Sequence, residues 1–206
     1  MSDAAAGADA LAAGYLPDEP PADPWELVAA WLPADDDPVR PTMTLATLDD
    51  GVPDARTVLL SGWSRDGFLL HTDTRSRKAA QLQADPAVAL VLHLAADAHQ
   101  LVVQGRAEPA GAAVDRDVFQ RRSPYLQQLA WQNTAEFATL PLEDRRAAWA
   151  HFTAAHADGF GEPPTWIGYR VVPDRLTFWQ GDPATASRRI AYARTADGWT
   201  VSRHAG

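Results

Sequence analysis

Short β-type segments follow one another along most of this chain and restrict the folds open to it. Five occur before residue 110, at 42–48, 54–61, 67–72, 87–94 and 100–108, and four more at 165–172, 174–180, 187–193 and 198–203. Turn residues separate several of them, as in Asp49-Asp50-Gly51 and Arg65-Asp66-Gly67. Closely spaced strands with such turns are typical of an antiparallel meander or barrel.

Helical patterns occupy fewer positions. Asp23 as N-cap and Pro24 at the first position predict a helix that ends near Pro33. Further helices are predicted at 76–84, at 111–131 with a break near Pro124, and at 142–156. Strands, then helices, then strands indicate a mainly β, α+β fold with flanking helices rather than a doubly wound parallel sheet.

The N-terminal segment differs in composition from the rest. Residues 1–23 contain five acids and no base, so they carry −5 of the net charge of −9. This segment is also rich in Ala and Pro, which predicts a disordered tail over residues 1–22 and one folded domain over 23–206.

Composition also excludes several classes of function. The net charge of −9 argues against binding to nucleic acid or to anionic membranes, and the absence of Cys excludes thiolate metal sites and a Cys nucleophile. No membrane-spanning run, metal-ligand pattern, catalytic elbow, Walker loop or Rossmann glycine motif is present. We therefore expect a cytoplasmic protein without a bound metal.

The stretch 72–78 combines hydroxyl and basic residues between a strand end and a helix start. Thr74 or Ser76 can cap the helix, while Arg77 and Lys78 place two cations in its first turn, where they oppose the helix dipole. A bound phosphate would resolve that conflict, because it meets N–H donors, hydroxyls and cations together. A solvated basic turn explains the same residues equally well. Lys78 is the one Lys beside 17 Arg.

Arg56 raises a related question. It lies in an otherwise apolar strand segment, so it needs an anion partner or a position at the sheet edge.

At these residues the sequence resembles the pyridoxamine 5'-phosphate oxidase family of flavin-binding split barrels. The matching stretches are Met43–Leu48, Ala55–Leu60, Gly67–Lys78 and Trp166–Gly181. The resemblance implies a six-stranded antiparallel split β-barrel with flanking helices. It further implies a homodimer with FMN bound at the subunit interface.

The resemblance also implies which residues bind FMN. The residues that match the family's cofactor positions are Arg56, Thr57, Val58, Leu59, Ser61, His71, Thr72, Ser76, Arg77, Lys78, Gln100, Trp179 and Arg189. The family usually has an aromatic residue where His71 stands. It also has a Ser and a Gln–Ser pair after Trp131, where this chain has Asn133, Ala135 and Glu136.

The positions that match the family's substrate pocket depart further from the family pattern. They are Ser61, Val118, Arg122, Leu126, Thr185 and Ser187. The family usually has Lys where Ser61 stands and an Arg-Leu-His triplet at 185–187, while Val118 and Leu126 replace a Tyr and a Ser. A pocket that has lost these charged groups is poorly suited to a dianionic substrate.

We therefore expect an FMN-dependent oxidoreductase that transfers a hydride between flavin N5 and a small organic substrate other than a B6 phosphate. This substrate could belong to secondary metabolism, and O₂ is the expected electron acceptor. Arg189 and Ser187 are the candidate catalytic residues. Three alternatives stay open: a divergent pyridoxamine or pyridoxine 5'-phosphate oxidase, a non-catalytic flavin-binding or storage protein, and a related barrel that binds a deazaflavin or haem.

Overall fold

The computed structural model describes residues 15–34, 37, 39–94 and 98–206. The chain divides into two compact units. The sheet unit comprises the described residues within Met1–Leu70, Gln81–Glu108 and Arg170–Gly206, and the helical unit comprises His71–Ala80 and Pro109–Tyr169.

Nine strands form one sheet in the described part of the chain. They are β1 (Thr42–Asp49), β2 (Val52–Leu59), β3 (Gly62–Ser64), β4 (Gly67–Asp73), β5 (Ala87–Leu94), β6 (His99–Pro109), β7 (Trp166–Gln180), β8 (Arg188–Thr195) and β9 (Gly198–Ala205). Their order is β2-β1-β5-β6-β7-β4-β3, with β8 paired to β7 and β9 paired to β8. The pairs β1–β2, β1–β5, β3–β4, β5–β6, β7–β8 and β8–β9 are antiparallel, as the sequence predicts.

Six helices lie among the described residues. They are α1 (Pro24–Trp31), α2 (Arg77–Ala84), α3 (Ala112–Arg121), α4 (Pro124–Gln132), α5 (Ala135–Thr139) and α6 (Leu142–Ala155). Asp23 caps α1 by accepting a hydrogen bond from the Trp25 backbone N–H. The predicted break near Pro124 is confirmed, because this residue begins α4 and Ser123 caps it.

Glycines permit a tight turn and a close approach of two strands in the sheet unit. Asp50 and Gly51 have φ values of 50° and 80°, which allow a two-residue turn between β1 and β2. A Cβ on Gly105 would lie 2.0 Å from the Val172 carbonyl oxygen. The approach of β6 to the β7 backbone therefore requires glycine at this position.

The core of the sheet unit lies on one face of these strands. Its fully buried side chains include Met43, Leu45, Leu90, Leu92, Leu101, Phe178 and Tyr192. Helix α1 adds Leu27 and Val28, which have no exposed surface. Trp25 stacks on Phe68 at 5.5 Å between ring centroids.

The helical unit depends partly on a buried amide. The Gln128 side chain donates from Nε2 to the Trp149 carbonyl at 2.8 Å and accepts from the Thr153 hydroxyl at 2.7 Å. These bonds connect α4 to α6. Phe119 of α3 is almost fully buried and meets Trp166 edge to face at 5.8 Å.

The structure differs from the sequence prediction at two points. Segments 165–172 and 174–180 form the single strand β7, since the φ angle of Pro173 suits an extended strand although proline donates no hydrogen bond. β3 and α5 have only three and five residues, too short for a periodic pattern to show.

The predicted tail of residues 1–22 falls partly among the described residues. Residues 1–14 lie outside the described part of the chain. Leu16 is 3% exposed, and its backbone N–H donates to Gln180 Oε1 at 2.9 Å. Leu16 therefore contacts the sheet unit, a long-range contact that an Ala- and Pro-rich composition does not reveal.

Candidate functional site

The N-terminus of α2 gathers the hydroxyl and ammonium groups that the sequence singles out. Thr72, at the end of β4, is 9% exposed, and its Oγ1 lies 3.1 Å from Ser76 Oγ. Ser76 Oγ also accepts from the Ala79 backbone N–H at 3.3 Å and so caps the helix. Lys78 Nζ donates to Thr72 Oγ1 at 3.3 Å. Thr72, Ser76 and Lys78 therefore form one polar cluster inside the helical unit.

A cavity of about 390 Å³ lies beside this cluster in the same unit. Its lining residues are Asp73, Arg75, Ser76, Arg77, Asn133, Thr134, Ala135 and Glu136. The segment 133–136, which departs from the family sequence, thus faces the same cavity as Ser76 and Arg77.

Ion pairing sets the electrostatics of this cavity. Arg75 donates to both Asp73 carboxylate oxygens, at 3.0 and 2.7 Å, and Thr165 Oγ1 donates to Asp73 Oδ2 at 2.9 Å. The hydrogen bond from Arg75 lowers the pKa of Asp73 below its ordinary value. A backbone hydrogen bond lowers the pKa of Glu136 in the same way. Both carboxylates are therefore charged at neutral pH and offset part of the positive charge.

The donor set of the helical unit fits a phosphate monoester such as the one in FMN. Two hydroxyls and an ammonium meet at the positive end of α2, and Arg77 lines the adjacent cavity. Neither Arg77 nor Lys78 improves the helix by itself, because the first turn of α2 contains no acid to balance them. An anion at this position would interact favourably with the donors and with the helix dipole together.

Arg56 belongs to a separate network in the sheet unit. Its guanidinium donates to Asp54 Oδ2, Gln81 Oε1 and Thr47 Oγ1, each at 2.6 Å. Gln81 is 3% exposed and also donates to Asp54 Oδ2 at 2.9 Å. The anion partner that the apolar strand segment predicts for Arg56 is therefore Asp54, and β2 also lies at the sheet edge.

The other predicted cofactor residues near Arg56 differ in exposure. Thr57 is exposed, Val58 and Leu59 are half-buried, and Ser61 is 6% exposed with its backbone N–H bonded to the Leu69 carbonyl. Gln100 lies on β6 opposite His93 of β5.

The β7–β8 hairpin brings together two predicted cofactor residues. Trp179 and Arg189 are direct partners in the antiparallel register and therefore share one face of the sheet. Ser187 is half-buried just before β8, whereas Thr185 is exposed. The two candidate catalytic residues, Ser187 and Arg189, are thus separated by a single position at the end of the hairpin.

The predicted substrate residues of the helical unit lie on α3, just beyond it and on α4. Val118 is 4% exposed, and Leu126 is half-buried in the first turn of α4. The Arg122 guanidinium carbon lies 4.3 Å from the centre of the Trp166 ring, a cation–π geometry. Burial lowers the pKa of Arg122 to about 10, so this guanidinium stays charged at neutral pH.

The structure contains a buried histidine–carboxylate pair of which the sequence indicates only the histidine. The His71 side chain has no exposed surface, and its Nε2 lies 3.3 Å from Asp115 Oδ1. Its ring stacks on Trp166 at 5.0 Å, and Trp166 Nε1 donates to the Asp115 carbonyl at 3.1 Å. Burial lowers the pKa of His71 more than the carboxylate raises it, so the ring is neutral at pH 7. The sequence singles out His71 alone, because nothing in it connects position 115 to position 71.

The described residues contain no group of three or more His, Asp or Glu side chains arranged to hold a metal ion. None of their helices has the length and apolar character needed to cross a membrane.

Two family models match most of the chain. The model described as pyridoxamine 5'-phosphate oxidase matches residues 38–157. The model described as the pyridoxine 5'-phosphate oxidase C-terminal dimerisation region matches residues 166–205, which supports the expected homodimer.

Curated relatives lead to the same family. The chain is 39% identical over 185 residues to the pyridoxine/pyridoxamine 5'-phosphate oxidase of Burkholderia multivorans, covering 86% of this chain and 83% of the relative. It is 35% identical over 189 residues to the enzyme of the same name from Caulobacter vibrioides, covering 88% and 84%.

Solved structures confirm the split-barrel fold class. PhzG from Burkholderia lata 383, in complex with tetrahydrophenazine-1-carboxylic acid, superposes with a TM-score of 0.76 at 22% identity, covering 92% of this chain and 95% of that one. A pyridoxamine 5'-phosphate oxidase-related, FMN-binding protein from Nostoc punctiforme PCC 73102 gives 0.62 at 18% identity, with coverage of 80% and 87%. With both halves of the sequence matched and the fold in agreement, this chain belongs to the pyridoxamine 5'-phosphate oxidase family, whose members are FMN-binding oxidoreductases.

Proposed function

We propose that this protein binds FMN as a homodimer and oxidises a small cyclic organic substrate other than a B6 phosphate. The observation that carries the cofactor assignment is the Thr72–Ser76–Lys78 cluster at the N-terminus of α2, in a chain of this family. Bound FMN would supply N5 as the acceptor of a hydride from a substrate carbon, with O₂ as the final electron acceptor.

Residues of the helical unit would hold the phosphate. Ser76 and Thr72 offer hydroxyl donors, and Lys78 is already hydrogen-bonded to Thr72, so their positions are set before the ligand arrives. Arg77 is exposed at the cavity, where it can reach an anion without first leaving a buried site.

The β7–β8 hairpin would contact the flavin ring. Trp179 offers an aromatic surface, and Arg189 on the same face of the hairpin brings a cation that favours negative charge on a reduced ring. Ser187 would donate a hydrogen bond to substrate. Neither Arg189 nor Ser187 needs to change its charge in this role.

The substrate assignment depends on the residues that replace the family's anion-binding groups. Each charge-assisted hydrogen bond contributes about 1.5–3 kcal/mol, and Ser61, Thr185 and Ser187 supply no charge where the family has Lys, Arg and His. Val118 and Leu126 are apolar where the family has a Tyr and a Ser. An uncharged or singly charged ring compound suits this set better than a phosphate ester.

One comparison supports a ring substrate. The structure of PhzG contains tetrahydrophenazine-1-carboxylic acid, so a related fold accommodates a fused-ring acid. Arg122, which stays charged above Trp166, would be the cation that binds a single carboxylate. This comparison favours a role in secondary metabolism.

A second candidate function is oxidation of pyridoxamine or pyridoxine 5'-phosphate. It is favoured by the curated relatives at 39% and 35% identity, which bear that name. A third outcome is a flavin-binding protein without turnover.

The test begins with the purified protein and its visible spectrum. A flavin spectrum, or FMN binding by the colourless protein, supports the cofactor, whereas failure to bind added FMN overturns it. Oxygen uptake is then measured with pyridoxamine 5'-phosphate and with a dihydro-aromatic carboxylic acid. Turnover of the acid alone supports the first proposal, saturable turnover of the phosphate supports the second, and flavin without turnover supports the third.

A substitution sharpens the choice of substrate. Ser61→Lys restores the family's cation and should raise kcat/KM for pyridoxamine 5'-phosphate about tenfold, equivalent to roughly 1.4 kcal/mol. Ser64→Lys adds the same charge at an exposed position three residues away and should change nothing. Equal effects of the two substitutions would contradict the assignment of Ser61 to the pocket.

A further inference from the structure

Residues 15–21, here called the N-terminal strap, lie against the three C-terminal strands of the sheet unit. Leu16 N–H donates to Gln180 of β7 at 2.9 Å. Arg188 of β8 donates to the Leu16 and Pro17 carbonyls at 3.2 and 3.1 Å. Arg203 of β9 donates to the Asp18 carbonyl at 2.7 Å. The strap thus ties three strands together at one end of the sheet.

The strap is attached at both of its ends. Tyr192 Oη donates to the Pro21 carbonyl at 2.9 Å, and burial raises the pKa of this phenol, so the donor proton stays in place. Leu16 at the other end is 3% exposed. The Arg188 guanidinium also pairs with the Asp18 carboxylate at 3.0 Å.

A buried relay extends the attachment to β6 and α1. Gln180 Nε2 lies 2.6 Å from His99 Nε2, while Gln180 Oε1 accepts from Leu16. The His99 ring stacks on Trp31 at 4.1 Å with an interplanar angle of 5°. Gln180 and His99 are 8% and 4% exposed, so loss of the Leu16 donor would leave a buried acceptor without its partner.

The register of the β7–β8 hairpin separates the strap from the predicted flavin face. Gln180 is paired with Arg188, and Trp179 is paired with Arg189. Because successive side chains of a strand point to opposite faces, Gln180 and Arg188 face the strap while Trp179 and Arg189 face the other way. The strap therefore supports the hairpin end from behind.

We propose that the N-terminal strap is a positioning segment that fixes the end of the β7–β8 hairpin, with Arg188 and Gln180 as its anchors. Trp179, Ser187 and Arg189 are carried by that hairpin end, so their orientation depends on a segment bound to the side chains of the opposite face. The effect on the hairpin follows from the contacts alone, whereas the effect on FMN rests on the proposed function.

The test compares two deletions. Removal of residues 1–18 eliminates the contacts of Leu16, Pro17 and Asp18, while removal of residues 1–14 leaves the strap in place and is the matched control. In the cofactor-free proteins, hydrogen–deuterium exchange of peptides covering 179–190 should be faster only after the longer deletion. Equal exchange in the two proteins overturns the proposal, whether or not the protein binds FMN.

FMN titration gives the functional measurement. The Kd should rise about fivefold or more in the protein lacking residues 1–18 and stay unchanged in the control. If the full-length protein binds no FMN, the proposed function fails, and the exchange result still decides the role of the strap.

Full-length variants guard against a deletion that does not fold. Arg188→Met should reproduce the faster exchange and the higher Kd, Arg188→Lys should recover part of both, and Arg194→Met on the same strand should change neither. The proposal is overturned if Arg188→Lys, Arg188→Met and Arg194→Met all show the same increase in exchange rate and in Kd. That result would indicate general destabilisation of the protein.

Discussion

His71 Nε2 and Asp115 Oδ1 lie 3.3 Å apart inside the helical unit, in side chains that are 0% and 10% exposed. Gly168 makes this approach possible, since a Cβ there would lie 2.3 Å from Asp115 Oδ1 and 2.5 Å from His71 Nε2. A backbone position of β7 thereby determines how a residue of β4 meets one of α3.

Gly168→Ala should lower the free energy of unfolding by about 1–3 kcal/mol, because the added methyl overpacks the histidine–carboxylate pair. Gly161→Ala is the matched control, since a Cβ at that glycine meets nothing within 4 Å. Urea denaturation of both variants measures the difference. Equal stability of the two variants would show that His71 and Asp115 move aside for the methyl without lowering the free energy of unfolding.

The stability of the protein should depend on pH through His71. Its pKa in the folded protein is lowered below 6.5 by burial, so between that pKa and 6.5 the unfolded chain binds more protons than the folded one. The contribution of His71 is complete above pH 6.5 and is lost as the pH falls through the folded-state pKa. NMR titration of the His71 ring checks this, and a midpoint at or above 6.5 would refute it.

The Gln81 network should contribute measurably to stability. Gln81→Leu removes three hydrogen bonds with Asp54, Arg56 and Thr47, and the expected loss is about 1–3 kcal/mol in the free energy of unfolding. Gln83→Leu makes the same chemical change at an exposed position of α2 and should be nearly neutral. Thermal unfolding of the two variants distinguishes a buried network from general helix effects.

The phosphate cluster can be tested by removing charge. The double variant Arg77→Ala with Lys78→Ala should weaken FMN binding at least about tenfold, equivalent to roughly 1.4 kcal/mol, because two cations near the phosphate are lost. Arg116→Ala, at an exposed position of α3 in the same unit, is the control. Flavin fluorescence titration gives both dissociation constants, and an unchanged Kd in the double variant would place the phosphate elsewhere.

The sequence by itself determined most of the local structure. Asp23 and Pro24 specify the start of α1, and the Asp50-Gly51 pair specifies the first hairpin, because caps and turns depend on residues that are adjacent in the chain. The alternation of strands with turn residues indicated an antiparallel sheet, and the 72–78 motif indicated the hydroxyl and basic cluster at α2.

Tertiary structure decided which distant residues meet. Asp54 and Gln81 as partners of Arg56, Asp115 beside His71, and segment 133–136 beside Ser76 depend on long-range packing, which leaves no local sequence signal. The strap shows the same limit, since its composition does not reveal the hydrogen bonds that Arg188, Tyr192 and Arg203 donate to it. Four adjacent residues can encode a turn. A contact between residues 172 positions apart, such as Leu16 and Arg188, forms only when the sheet has formed.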